Sequence, residues 1–174
     1  MRGATAIEFA LAMPVFLLFV FGLLECTRML YLWNTAQEVT RRAARAATVT
    51  DFTDAAALAR LRRQAIFRND DGVLVLGGEI GQDHVRIDYL SLSAAGAMQP
   101  VATLPASPAA NLAACTLDPH DPNCIRFVRV RLCTPDACAR VPYQSMVPGL
   151  LPLPDMSLPL STTVVRAESL GYRP

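Results

Sequence analysis

The stretch from Ala4 to Leu24, ATAIEFALAMPVFLLFVFGLL, fixes more about this chain than any other segment. Only Thr5 and Glu8 interrupt its apolar character. A helix rises ~1.5 Å per residue and about 20 apolar residues cross a hydrocarbon core, so the run is long enough to span a bilayer. The overall composition agrees, with 52% hydrophobic and 18% charged residues. A secretory signal peptide would place small residues at A-x-A spacing after its apolar core, whereas Cys-Thr-Arg-Met-Leu-Tyr follows here. Pro14 lies inside the run, where it removes one backbone bond and predicts a helix kink that membrane helices tolerate. Gly22 is a point where a neighbouring helix could approach closely. Glu8 is the anomaly, because a carboxylate in or near hydrocarbon is expensive and usually marks function.

The helix is predicted to continue beyond the run. Residues 25–47, ECTRMLYLWNTAQEVTRRAARAA, contain no Gly or Pro and are rich in helix formers. Leu32, Ala36, Val39 and Ala43 recur on one face, with Arg41, Arg42 and Arg45 elsewhere. One helix from Ala4 to Ala47 would be roughly 65 Å long. It would present an apolar stripe to a partner after leaving the membrane, with Glu8 at its far end from the remaining chain.

The side on which that remainder lies is read from two signals that conflict. Arg28, Arg41, Arg42 and Arg45 follow the run while Arg2 alone precedes it, which by the positive-inside rule favours a cytoplasmic head. Four of the five cysteines, Cys115, Cys124, Cys133 and Cys138, cluster as C-x8-C-x8-C-x4-C, which favours two disulfides in an oxidising compartment. No CxxC knuckle supports a zinc site. Short loops close most readily, so the expected pairs are Cys115–Cys124 and Cys133–Cys138 with Cys26 free, although four cysteines also allow crossed connectivities. All sixteen basic residues are Arg, and the net charge of +1 points to no charged partner.

The string RGATAIEF, running into an apolar helix with an early Pro, resembles a type IV prepilin N-terminus. Over RGATAIEFALAMPVFLLFVFGLLE and the QEVTRRAARAA continuation, the chain resembles the TadE/TadG-like minor pilins (pseudopilins) of the tight-adherence, or Flp, pilus. The closing SLPLSTTVVRAES, with Glu168, is loosely similar to the last strand of that family. The resemblance implies cleavage by a prepilin peptidase between Gly3 and Ala4, which makes Glu8 the fifth residue of the mature chain, followed by Phe9. The new amine on Ala4 and a Glu8 carboxylate can then neutralise one another in lipid, and between neighbouring subunits that pairing would set axial register. A plainer role for Glu8 is to snorkel to the headgroups. The implied partners are the peptidase, other pilins packed through the N-terminal helix, the inner-membrane assembly platform and the membrane itself. The implied location is the bacterial inner membrane, single-pass with a periplasmic head, and later the pilus or its tip.

The remaining sequence predicts an α+β head. Residues 1–3 read as the leader, 4–50 as the transmembrane and extended helix, and 51–174 as the head. Thr53 or Asp54 can cap a second helix, DAAALARLRRQAIFR, that stops at Asn69–Gly72. HVRIDYLSL, IRFVRVRLC and LSTTVVRAE alternate like half-buried antiparallel strands, and VLVL at 73–76 offers a short fourth. Residues 94–123 and 142–159 are Pro-rich and read as rigid loops.

No GxSxG, phosphate-binding Gly loop or HExxH is present, so neither an enzyme nor a cofactor is expected. His84 and His120 read as strand-start and turn residues rather than metal ligands. Arg60, Arg62, Arg63 and Arg68 read as a solvated helix face rather than a nucleic-acid site, since no aromatic platform accompanies them. Two alternatives to the pilin stay open: an anchored periplasmic interaction module that never polymerises, and a type II secretion pseudopilin.

Overall fold

The computed structural model describes residues 4–149 and 156–172; the leader, including Gly3, and 150–155 lie outside the described residues. Its spine is α1, Ala4–Ala47, which runs unbroken through Pro14. Leu32, Ala36, Val39 and Ala43 are fully buried, so the stripe read at helical spacing is the stripe that packs. Three of its further members are Ala44, Ala47 and Thr40, small residues that let a sheet approach the helix closely.

That sheet is antiparallel with order β4-β3-β5-β6, built from β3 (Val85–Leu92), β4 (Met98–Pro100), β5 (Phe127–Leu132) and β6 (Ser161–Arg166). In β5, Val128, Val130 and Leu132 are buried while Arg129 and Arg131 face out, where both guanidiniums meet Asp88 of β3. β5 and β6 lie against α1, and Thr40 shares a buried hydroxyl pair with Ser161 at 3.1 Å. The mixed α+β fold with an antiparallel sheet beside helices is therefore the one that the alternation predicted.

Asp54 caps α2 (Ala55–Ala65), accepting the Ala57 N–H at 2.9 Å. α2 ends sooner than its helix formers suggest, because Phe67 adopts φ 60° and turns the chain away before Arg68. The VLVL segment also departs from expectation. Only Val73–Leu74 forms a strand, β1, and it pairs with β2 (Gly77–Gly81) in a separate two-stranded sheet. The fourth strand of the main sheet is instead β4. A second difference is α3, Pro108–Leu117, inside a stretch read as loop. Ser107 caps it and Pro108 occupies its first turn, which is where proline suits a helix. Asn111 alone in α3 is buried, accepting the Ile125 N–H at 2.8 Å, so α3 shows no apolar stripe to read.

The C-terminal segment ties back to the end of α1. The N–H of Leu170 donates to the Thr48 carbonyl at 2.9 Å, and Leu170 is buried. Gly171 follows at φ 85°, and a Cβ there would lie 2.6 Å from the Asp51 backbone nitrogen. Gly171→Ala is therefore expected to destabilise the protein by at least about 2 kcal/mol, from strain and backbone collision together. Urea unfolding of the detergent-solubilised protein measures this, and an unchanged midpoint would refute it.

Candidate functional site

α1 divides into two halves that differ in burial. From Ile7 to Leu24 no residue is buried, and Ile7, Phe9, Val15, Phe16 and Phe19 are each more than 60% exposed. This half is therefore an apolar cylinder open to lipid or to other helices. Ala4 opens the helix, Glu8 and Phe9 stand exposed near its start, and Pro14 lies within it. Cys26, just past the run, is exposed and free.

The other half carries the head, and the attachment reaches further down than a head placed beyond Ala47 would. Its lowest point is a cluster at Glu25 and Arg28, immediately after the apolar run. The Arg28 guanidinium binds both carboxylate oxygens of Glu79 in β2, at 2.8 and 3.0 Å. Arg28 Nε donates to the Leu76 carbonyl at 2.7 Å, and Nη1 donates to the Gln144 carbonyl. Glu25 accepts from the Tyr143 hydroxyl at 2.7 Å and from the Met146 N–H at 3.2 Å. The guanidinium also lies over the Tyr143 ring, 5.0 Å from its centroid. Burial, and then the hydrogen bond to Glu25, push the Tyr143 hydroxyl up to about 12.

Charge arithmetic explains why so many donors gather here. Glu25 and Glu79 are 4% and 7% exposed, and among the described residues Arg28 is the one basic side chain paired with either. A second buried carboxylate is tolerated only if other donors satisfy it, and the 143–146 segment supplies two N–H groups and a phenol. Arginine suits the position because its planar fork addresses one carboxylate and two carbonyls at once.

Two backbone features complete this junction. Gly77 packs where a Cβ would come within 2.6 Å of Leu32 Cδ2, so glycine lets the β1–β2 hairpin lie flat on α1. Leu76 beside it holds φ 58°, a left-handed conformation costing a leucine roughly 1–2 kcal/mol. The Arg28 bond to its carbonyl helps hold it there.

Sequence reasoning missed this cluster. Glu25 and Arg28 are visible as an acid and a base three residues apart at the end of the apolar run, and that spacing was the available signal. Nothing local identifies Glu79 or Tyr143 as their partners.

In the head, a disulfide joins Cys115 of α3 to Cys124, and another joins Cys133, at the other end of β5, to Cys138. His84 Nδ1 accepts the Gly81 N–H at 3.1 Å, and the His120 ring lies 3.3 Å from the Leu92 carbonyl. Among the described residues no group of His, Cys, Asp or Glu is arranged to hold a metal ion.

Residues 3–45, nearly the whole of α1, match the family model described as TadE-like protein. No curated protein and no solved structure matches the chain.

Proposed function

We propose, taking the TadE-like segment at residues 3–45 as the premise, that this chain is a minor pilin of a tight-adherence pilus. A prepilin peptidase would cut between Gly3 and Ala4. The mature chain would wait in the inner membrane on α1, then enter the pilus at or near its tip through packing of that helix with other pilins. The observation that carries this reading is the division of α1. Its first half is bare, apolar and marked by Glu8 as its one charge, while its second half is covered along one face by the head. A subunit so built can exchange lipid for neighbouring helices without rearranging its head. The Cys115–Cys124 and Cys133–Cys138 bridges support a head on the oxidising, periplasmic side, against the charge bias of the flanking arginines.

Gly3→Leu tests the reading. A bulky residue at the scissile bond should block cleavage, so the variant should accumulate in the membrane and vanish from the sheared pilus fraction on immunoblotting. Equal recovery of the variant and parent in that fraction would overturn the processing step, and absence of both from it would favour an anchored module that never polymerises. A parent chain that is cleaved but found only beside a secretion apparatus would favour the type II secretion pseudopilin.

Orientation has its own test. Non-reducing peptide mapping of protein from cells should return Cys115–Cys124 and Cys133–Cys138, with only Cys26 alkylated. Five alkylatable thiols would place the head in a reducing compartment.

A further inference from the structure

Two loops at the base of the head combine features that a solvated loop would not need. Val75 and Leu76, in the β1–β2 turn, are 52% and 59% exposed, and Met146 is 59% exposed. Leu76 holds its left-handed backbone while presenting a large apolar side chain, although glycine would adopt that φ without strain. Neither 72–78 nor 141–149 contains a charged residue, in contrast to the arginines of the outer sheet face.

Their height along α1 is fixed by bonds already described. The Leu76 carbonyl is bound by Arg28 and the Met146 N–H by Glu25. Arg28 lies four residues past Leu24, the end of the apolar run, or about 6 Å along the axis. The headgroup layer on each side of a hydrocarbon core is about 5–8 Å deep. With the apolar run seated in the core, both loops lie at the depth of that layer.

From these observations we infer that the base of the head is a lipid-contacting surface. Val75, Leu76 and Met146 enter the boundary between headgroups and acyl chains of the bilayer that α1 spans. The cluster of Glu25, Arg28 and Glu79 holds the two loops down against it. The apolar surface of α1 is thereby continuous with that of the head base, and the subunit meets the membrane through both. This inference rests on α1 spanning a bilayer, as in the function proposed above.

The test uses the full chain, one copy per nanodisc of phosphatidylethanolamine and phosphatidylglycerol. In a Cys26→Ser background, nitroxide labels are placed singly at Leu76→Cys, Met146→Cys, Leu18→Cys and Ala95→Cys. Leu18 lies in the apolar run. Ala95 lies in the turn after β3, at the opposite end of the head, where β5 and β6 lead to Thr48. Accessibility to oxygen relative to an aqueous nickel chelate should be several-fold higher at Leu76 and Met146 than at Ala95, approaching that at Leu18. A lipid signal at Leu18 with Leu76 and Met146 as aqueous as Ala95 would overturn the inference and leave the anchor intact. Aqueous signals at all four sites would overturn both. Shielding that grows only as copies per disc increase would make a second chain the occupant and also overturn it. A thiol-free control is Leu76→Trp in a Trp33→Phe background, where Trp33 is the sole tryptophan. Brominated lipids should quench its fluorescence, and unquenched emission would count against lipid contact.

Discussion

Glu8→Ala is expected to reduce piliation to a small fraction of the parent level while the protein is made, inserted and cleaved normally. Glu8 lies 17 residues before Glu25, the lowest point of the head, which is about 25 Å along α1. The head therefore does not sense its removal. Losing a carboxylate from the apolar run makes insertion easier rather than harder. On the proposed register role, what the variant lacks is the partner for the amine on a neighbouring Ala4. An amine left unpaired in lipid costs several kcal/mol before relaxation, enough to disfavour each addition to a filament. Counting pili by electron microscopy beside an immunoblot of total protein reads both quantities. Normal piliation would reduce Glu8 to a snorkelling residue near a helix start.

Arg28→Ala is expected to release the base of the head from α1. It leaves Glu25 and Glu79 buried without their cation and frees the carbonyls of Leu76 and Gln144. Breaking a buried pair by removing one partner costs about 3 kcal/mol or more. The loss should be local, because the sheet and the stripe from Leu32 to Ala47 keep their own core. Hydrogen exchange followed by mass spectrometry should show faster exchange over 73–81 and 143–147, with β3, β5 and β6 protected as in the parent. Arg28→Met combined with Glu79→Leu should recover part of the protection, since the two residues act as one unit. Unchanged exchange at the hairpin would mean that apolar packing around Gly77 and Leu32 holds the base without the charges.

How legible the fold was depended on whether a segment's pattern is local. The stripe of Leu32, Ala36, Val39 and Ala43 shows because each turn of α1 repeats it, and β5 shows because Val128, Val130 and Leu132 alternate with arginines. α3 was hidden because a disulfide and one buried asparagine hold it rather than an apolar face. The β1–β2 hairpin was hidden because its strand content is short and glycine-rich, and its place is set by Leu32 of α1. Gly3, Ala4 and Glu8 could be picked out only through family resemblance, since the roles proposed for them depend on a peptidase and on neighbouring chains. The junction at Arg28 could not, because its bonds join residues 48 to 116 positions apart.

The intact mass of the protein extracted from membranes tests the minor-pilin account most directly. In cells with an active prepilin peptidase the mass should correspond to a chain beginning at Ala4, and in peptidase-deficient cells to a chain beginning at Met1. A mass that retains Met1–Gly3 in peptidase-competent cells would contradict it.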